Sequence, residues 1–160
     1  MRKPDAVFEK ITDIPMDFFK DKNVKGVILD VDNTLITLDE DMLDGLEKWV
    51  SDLKRSDIKV CIASNSFKKR KLDEVSKKLN LKYTRLSLKP LKCGLKKALA
   101  IIKTKPEETC EIGDQYFTDV IGAKRMNMIS ILTKPLSPEK HSINKLKRKI
   151  EKHYIDKFQK

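Results

Sequence analysis

The sequence predicts an α/β fold: a three-layer, doubly wound parallel sheet of the Rossmannoid kind, with helices on both faces. Two observations carry this expectation. Short apolar runs alternate along the chain with segments whose apolar residues recur at helical spacing, the pattern of successive βαβ units. The first run, Val27-Ile28-Leu29, is also apolar without interruption, as in a strand buried on both faces. At 160 residues the chain has the size of one domain with one core. No internal repeat, low-complexity block or glycine-serine linker divides it.

The elements follow in order. Val27-Ile28-Leu29, after Gly26, reads as a buried strand. Asp39 is then expected to cap a helix whose apolar face is Met42, Leu43, Leu46, Trp49, Val50 and Leu53. Lys59 to Ala63 is the second buried strand. Ser66 is expected to cap a helix carrying Leu72, Val75 and Leu79. Leu81 to Leu88 reads as a short strand region. Leu91, Leu95, Ala98, Leu99 and Ile102 form a third helical stripe, closed off by Pro106. Thr109 to Ile112 is a strand, Phe117, Val120 and Ile121 lie on a short helix, and Met128 to Leu132 is the last strand. The expected organisation is a lead-in segment over residues 1–24, a core over 25–135 and a basic C-terminal helix over 136–160.

Composition narrows the function classes. Hydrophobic residues make up 39% and charged residues 37%, a balance that suits a folded globular protein. No apolar run approaches the roughly 20 residues of a membrane span. MRKPDAVFEK lacks the apolar centre of a secretory signal, so a cytoplasmic protein is expected. Cys61, Cys93 and Cys110 form no CxxC pair and suggest neither a disulfide framework nor a zinc site. The two histidines, His141 and His153, both lie in the basic tail, which argues against a histidine metal site or a Ser-His-Asp triad. The formal net charge of +11 favours anionic partners: phosphorylated substrates, nucleic acid or anionic lipid.

Each strand delivers a polar group at its carboxyl end, where ligands bind in open parallel sheets. The first ends at Asp30-Val31-Asp32-Asn33-Thr34 and brings two carboxylates to the mouth. The second ends at Ser64-Asn65, where a hydroxyl and backbone N–H groups at a helix start can form a phosphate corner or a plain helix cap. The third region leads to Lys89, which Pro90 keeps extended. The fourth ends at Gly113-Asp114, with Asp119 five residues on. Singly, each has an ordinary structural explanation. Together they are the groups that phosphoryl transfer requires, and carboxylates of this kind suit a hard cation such as Mg²⁺.

In that order the groups resemble the haloacid dehalogenase (HAD) superfamily. DVDNTL fits its first motif, DxDx[TV]; IASNS fits the second; LKP the third; and GDQYFTD the GDxxxxD form of the fourth. The resemblance runs from Lys25 to Leu132. More narrowly, it points to the YqeG-type branch of the III A group, similar to mitochondrial phosphatidylglycerophosphate phosphatases. It implies that Asp30 attacks phosphorus to form an aspartyl-phosphate, and that Asp32 serves as general acid and then base. Asp30, the backbone carbonyl of Asp32, and Asp114 would hold Mg²⁺. Ser64, Asn65 and Lys89 would hold the phosphoryl group, with Thr34 and Asp119 in support. The implied activity is that of a phosphoric monoester hydrolase, with phosphatidylglycerophosphate as candidate substrate.

The stretches between the first and second motifs and between the second and third are consumed by core elements. No cap domain is expected, and the site should be open to a bulky substrate. The apolar lead-in (Val7, Phe8, Ile11, Ile14, Met16, Phe18, Phe19) is expected to pack on the core more readily than at a lipid interface. The tail stripe Ile143, Leu146, Ile150, Tyr154 and Phe158 either docks on the domain, with lysines to water, or lies on an anionic membrane. Nucleic-acid ends and small phosphate esters are the alternative substrates. Two further classes, a receiver-type signalling domain and a silent binding module, are disfavoured by the motif order and by the intact key positions. Gln115 either selects substrate or packs.

Overall fold

The computed structural model describes residues 2–156. Six strands form one parallel sheet: β1 (Ala6–Phe8), β2 (Gly26–Leu29), β3 (Lys59–Ala63), β4 (Lys82–Thr84), β5 (Thr109–Gly113) and β6 (Ile129–Thr133). Their spatial order is β1-β6-β5-β2-β3-β4. β2 and β5 are buried at every residue, which is why β2 reads as an uninterrupted apolar run; β5 is broken only by Thr109 and Glu111. From β2 the chain winds outward through β3 to β4, then crosses back to β5 on the other side. The winding therefore reverses between β2 and β5, and a crevice opens at their carboxyl ends.

Helices cover both faces. α1 (Met16–Asp21), α2 (Leu46–Arg55) and α3 (Lys69–Leu79) lie on one face; α4 (Lys92–Ile102) and α5 (Ile121–Arg125) lie on the other. Leu46, Trp49, Val50 and Leu53 form the buried stripe of α2, and Leu72, Val75 and Leu79 that of α3. Leu95, Ala98, Leu99 and Ile102 do the same for α4. The three-layer, doubly wound architecture matches the expectation, and neither inter-motif stretch forms a separate cap.

Two helix starts differ from the sequence expectation. α2 begins at Leu46, after Gly45 in a left-handed conformation, and not after Asp39. The residues between fold back on themselves: Ile36 bridges to Met42, and Leu43 N–H donates to the Leu35 carbonyl at 2.9 Å. α3 begins at Lys69 because Ser66 closes a local turn instead, its Oγ accepting from the Lys68 N–H at 3.2 Å.

The apolar lead-in is taken into the core. β1 joins the sheet edge beside β6, and Ile11, Ile14 and Phe19 are fully buried. Trp49 Nε1 donates to the Ile14 carbonyl at 3.0 Å, which ties the lead-in to α2.

The tail is α6 (Ser142–Asp156). Its docking face is charged: Glu151 is buried, and Arg148 and Glu151 bind groups of the core. The first part of the apolar stripe points the other way, with Ile143 82%, Leu146 60% and Ile150 44% exposed, while Tyr154 turns in and stacks on Tyr116 with ring centroids 6.4 Å apart. Docking with lysines outward thus forms, but only the end of the apolar stripe turns inward. Ion pairs to buried carboxylates decide which face turns in. Phe158, assigned to the same stripe, lies outside the described residues. Among the described residues, no helix is long and apolar enough to cross a membrane.

Candidate active site

The crevice between β2 and β5 is lined by carboxylates. Asp30, one residue past β2, has its N–H bonded to the Ile112 carbonyl at 2.9 Å, so the two strand ends are locked in register. Asp30, Asp114 and Asp119 each place a carboxylate oxygen within 4.8 Å of the others, and all three are buried. Asp119 comes this close because residue 113 is glycine: a Cβ there would lie 2.2 Å from Asp119 Oδ2. Asp119 Oδ2 also accepts from the Gln115 N–H at 2.9 Å, which fixes its rotamer.

Lys89 reaches into this cluster. Its Nζ lies 3.0 Å from Asp30 Oδ1, 2.7 Å from Asp119 Oδ1 and 3.2 Å from Glu111 Oε1. Its loop is pinned from two sides. Asn65 Oδ1 accepts from the Lys89 N–H at 2.9 Å, and Asn65 Nδ2 donates to the Lys89 carbonyl at 3.0 Å. Gly94 lets the same loop press on α4, since a Cβ there would meet the Ser87 backbone at 2.3 Å. Asn65 was expected to hold phosphate. Its side chain is instead spent on the backbone of Lys89, which leaves only its main chain to face an anion. Ser64 is buried, and its Oγ accepts from the Ser66 N–H at 3.1 Å at the start of the turn into α3.

Asp32 stands at the mouth, about a third exposed, paired with the buried Lys71 of α3. Thr34 Oγ1 donates to Asp114 Oδ1 at 3.3 Å. The other oxygen of Asp114 is held by Arg148 of α6, whose Nη1 also donates to the Asp114 carbonyl at 2.6 Å. Arg148 is balanced by Glu139 at 2.8 Å and Glu151 at 3.2 Å. Gln115 packs between elements: its Oε1 accepts from Lys147 Nζ at 2.5 Å.

The electrostatics are those of a site short of positive charge. Six carboxyl groups (Asp30, Glu111, Asp114, Asp119, Glu139 and Glu151) meet two cations, Lys89 and Arg148. Burial pushes the Asp30 carboxyl above its usual range despite Lys89, and pushes Asp114 up despite Arg148. Glu111 is driven to about 8 by burial, only partly offset by Lys89. Glu111 Oε1 lies 3.2 Å from Lys89 Nζ, outside good hydrogen-bond geometry. Lys89 is itself held well above the ordinary lysine value: its carboxylate neighbours outweigh the cost of its burial. All donors around the gap are hard oxygens, so the residues fit a divalent cation.

Three contributors had escaped sequence reasoning: Glu111, Lys71 and Arg148. Glu111 carried a signal, an acidic residue in an otherwise apolar strand. Lys71 and Arg148 carried none, because each is one basic residue among many.

A parallel sheet whose winding reverses over clustered aspartates and a lysine defines a HAD-like phosphatase fold. The family model described as mitochondrial PGP phosphatase matches residues 1–137. The "Probable phosphatase YqeG" of Bacillus subtilis (strain 168) is 31% identical over 153 residues, covering 95% of this chain and 88% of that protein. The chain belongs to this phosphatase family, within the HAD superfamily, and is a phosphoric monoester hydrolase. Solved structures share the fold. An uncharacterized protein of Listeria monocytogenes serotype 4b superposes with a TM-score of 0.60 at 19% identity, over 74% of this chain and 85% of that one. The cobalt-bound deoxy-D-mannose-octulosonate 8-phosphate phosphatase of Haemophilus influenzae gives 0.50 at 18% identity, over 81% and 88%.

Proposed function

We propose that the chain hydrolyses a phosphate monoester through a phosphorylated Asp30, with Mg²⁺ as cofactor and phosphatidylglycerophosphate as substrate. The observation that carries the catalytic part is the convergence of Asp30, Asp114, Asp119 and Lys89 at the β2–β5 crevice. Lys89 holds Oδ1 of Asp30, so the other oxygen is the one offered to phosphorus. A bond forms from that oxygen to phosphorus as the ester P–O bond breaks, and Asp32 gives its proton to the departing alcohol oxygen. Asp32 then takes a proton from water, which attacks the acyl phosphate, frees inorganic phosphate and restores Asp30. Lys71 holds Asp32 for both transfers. Ser64, the main chain at Asn65, and Lys89 bind the phosphoryl oxygens. Asp30, the carbonyl of Asp32, and Asp114 would hold Mg²⁺, with Thr34 and Asp119 in support. When bound, the ion neutralises phosphoryl charge that two buried cations leave uncompensated.

The substrate reading is supported by the family description, by the uncapped site and by the net charge of +11. It makes the protein peripheral to an anionic membrane on the cytoplasmic side. The test is Mg²⁺-dependent phosphate release from an aryl phosphate, from phosphatidylglycerophosphate in mixed vesicles, and from soluble sugar phosphates and phosphorylated oligonucleotides. Asp30→Asn is expected to lower every rate by at least about a thousandfold without unfolding the chain. Wild-type activity in that variant removes Asp30 as nucleophile. Equal rates on lipid and soluble esters remove the lipid substrate.

A further inference from the structure

The rim of the crevice carries apolar side chains that no packing accounts for. Phe67 is 80% exposed, Leu88 53% and Leu91 51%. They are not scattered. Phe67 lies two residues past Asn65, while Leu88 and Leu91 bracket Lys89-Pro90. The two loops are stitched together by Asn65 on the Lys89 backbone and by Arg85 Nη1 donating to the Phe67 carbonyl at 3.5 Å. Leu88 also holds a φ of +53°, a conformation that costs a leucine and favours glycine or asparagine. Neither core packing nor backbone preference therefore selects leucine at this position.

The rim carries an excess of cations, although Lys68, Lys69 and Arg70 pair with Glu40, Asp73 and Glu74. No acidic residue occurs between Ile58 and Leu72, or between Arg85 and Pro106. Lys68, Lys69, Arg70, Arg85 and Lys92 flank the three apolar side chains. Apolar side chains standing among cations at a phosphate-processing mouth complement one surface in both respects: the headgroup region of an anionic bilayer. Nucleic acid would match the charge, but two leucines offer no stacking face.

We propose that Phe67, Leu88 and Leu91, with the basic residues around them, form the surface by which the protein docks on anionic lipid, mouth toward the bilayer. This deepens the lipid-substrate reading above and rests on it for its purpose, though not for its test. The outward stripe of α6 is a separate surface that the proposal does not require.

The test is co-sedimentation of the full chain with phosphatidylcholine vesicles, with and without phosphatidylglycerol. A triple variant (Phe67→Ser, Leu88→Asn, Leu91→Ser) keeps the backbone preferences of each position. Wild type should bind the anionic vesicles only, and the variant should lose about tenfold or more of that binding. Hydrolysis of a soluble aryl phosphate should be unchanged in the variant. Equal vesicle binding by wild type and variant overturns the proposal. So does loss of binding on replacing Ile143, Leu146 and Ile150 by serine while the rim variant binds normally. Rim-dependent self-association without lipid, or rim-dependent retention of an oligonucleotide but not vesicles, reassigns the surface and also overturns it. Vesicle binding without hydrolysis of phosphatidylglycerophosphate leaves docking standing and removes the substrate. Hydrolysis of that lipid in detergent, with no vesicle binding, does the reverse.

Discussion

The acid cluster has two flanks, and they are built by different means. On one side Lys89, its loop locked by Asn65 and Gly94, is buried among Asp30 just past β2, Glu111 within β5 and Asp119 in the helical turn Tyr116–Val120. On the other side Asp114 is gripped by Arg148, which arrives on α6, beyond the residues matched by the family model. A cavity of about 670 Å³ lies under α6, lined by Asp114, Leu132, Pro135, Arg148 and Ile155 among others. The lysine flank is thus part of the core, and its rigidity comes from close packing. The arginine flank is an attachment held by ion pairs and by Tyr154 and Ile155 packed on Tyr116, Phe117 and Leu132.

That contrast orders the expected effects of mutation. Lys89→Met strands buried carboxylates without a counter-charge. It should cost about 3–5 kcal/mol of stability and abolish phosphate release, as read by urea melts and a phosphate assay. A stable variant would mean that the lysine flank is not integral to the core. Arg148→Ala strands Asp114 and Glu151 in the same way, at a less buried cation, so it should lower the melt by less than Lys89→Met while weakening the metal site. Half-saturation by Mg²⁺, measured by calorimetry as well as by activity, should rise about 10- to 100-fold, and Arg148→Lys should recover part of it. An unchanged Mg²⁺ affinity would make α6 irrelevant to the site. Lys71→Met releases Asp32 from its partner. It should slow turnover about tenfold, with little effect on Mg²⁺ affinity.

A further expectation concerns pH. Glu111 has a folded value near 8 against 4.5 unfolded. The native state therefore holds its proton more tightly than the unfolded chain does. The associated stability is complete below pH 4.5 and is lost as pH rises through about 8. In chelator, stability should fall over that window by up to about 1.4 kcal/mol per pH unit for this proton. Glu111→Gln should flatten the slope, and an unaltered slope would place the titration elsewhere.

What was legible in the sequence follows the same divide. β2 announces itself because burial on both faces demands an apolar run, β5 does so less cleanly because Glu111 interrupts it, and the residues after them are the aspartates that chemistry needs there. The carboxyl-end rule then brings Asp30 and Asp114 together before any coordinates exist. Asp39 and Ser66 misled because capping residues mark any tight turn, and a hairpin and a local turn claimed them first. Asn65 is a polar residue at the right place whose partner, the Lys89 backbone, is set by tertiary approach. The orientation of α6 was illegible for a stronger reason. Periodicity locates its apolar stripe, but the face that docks was chosen by Asp114 and the Phe117 N–H, distant in sequence.

The central claim is that Asp30 carries the phosphoryl group. Rapid acid quench during turnover of a labelled phosphate ester, followed by peptide mapping, tests it directly. The account predicts an acid-stable, hydroxylamine-labile phosphate on the peptide containing Asp30, absent from Asp30→Asn. Turnover with no trapped phosphate on that peptide, or with the label on another residue, would contradict it.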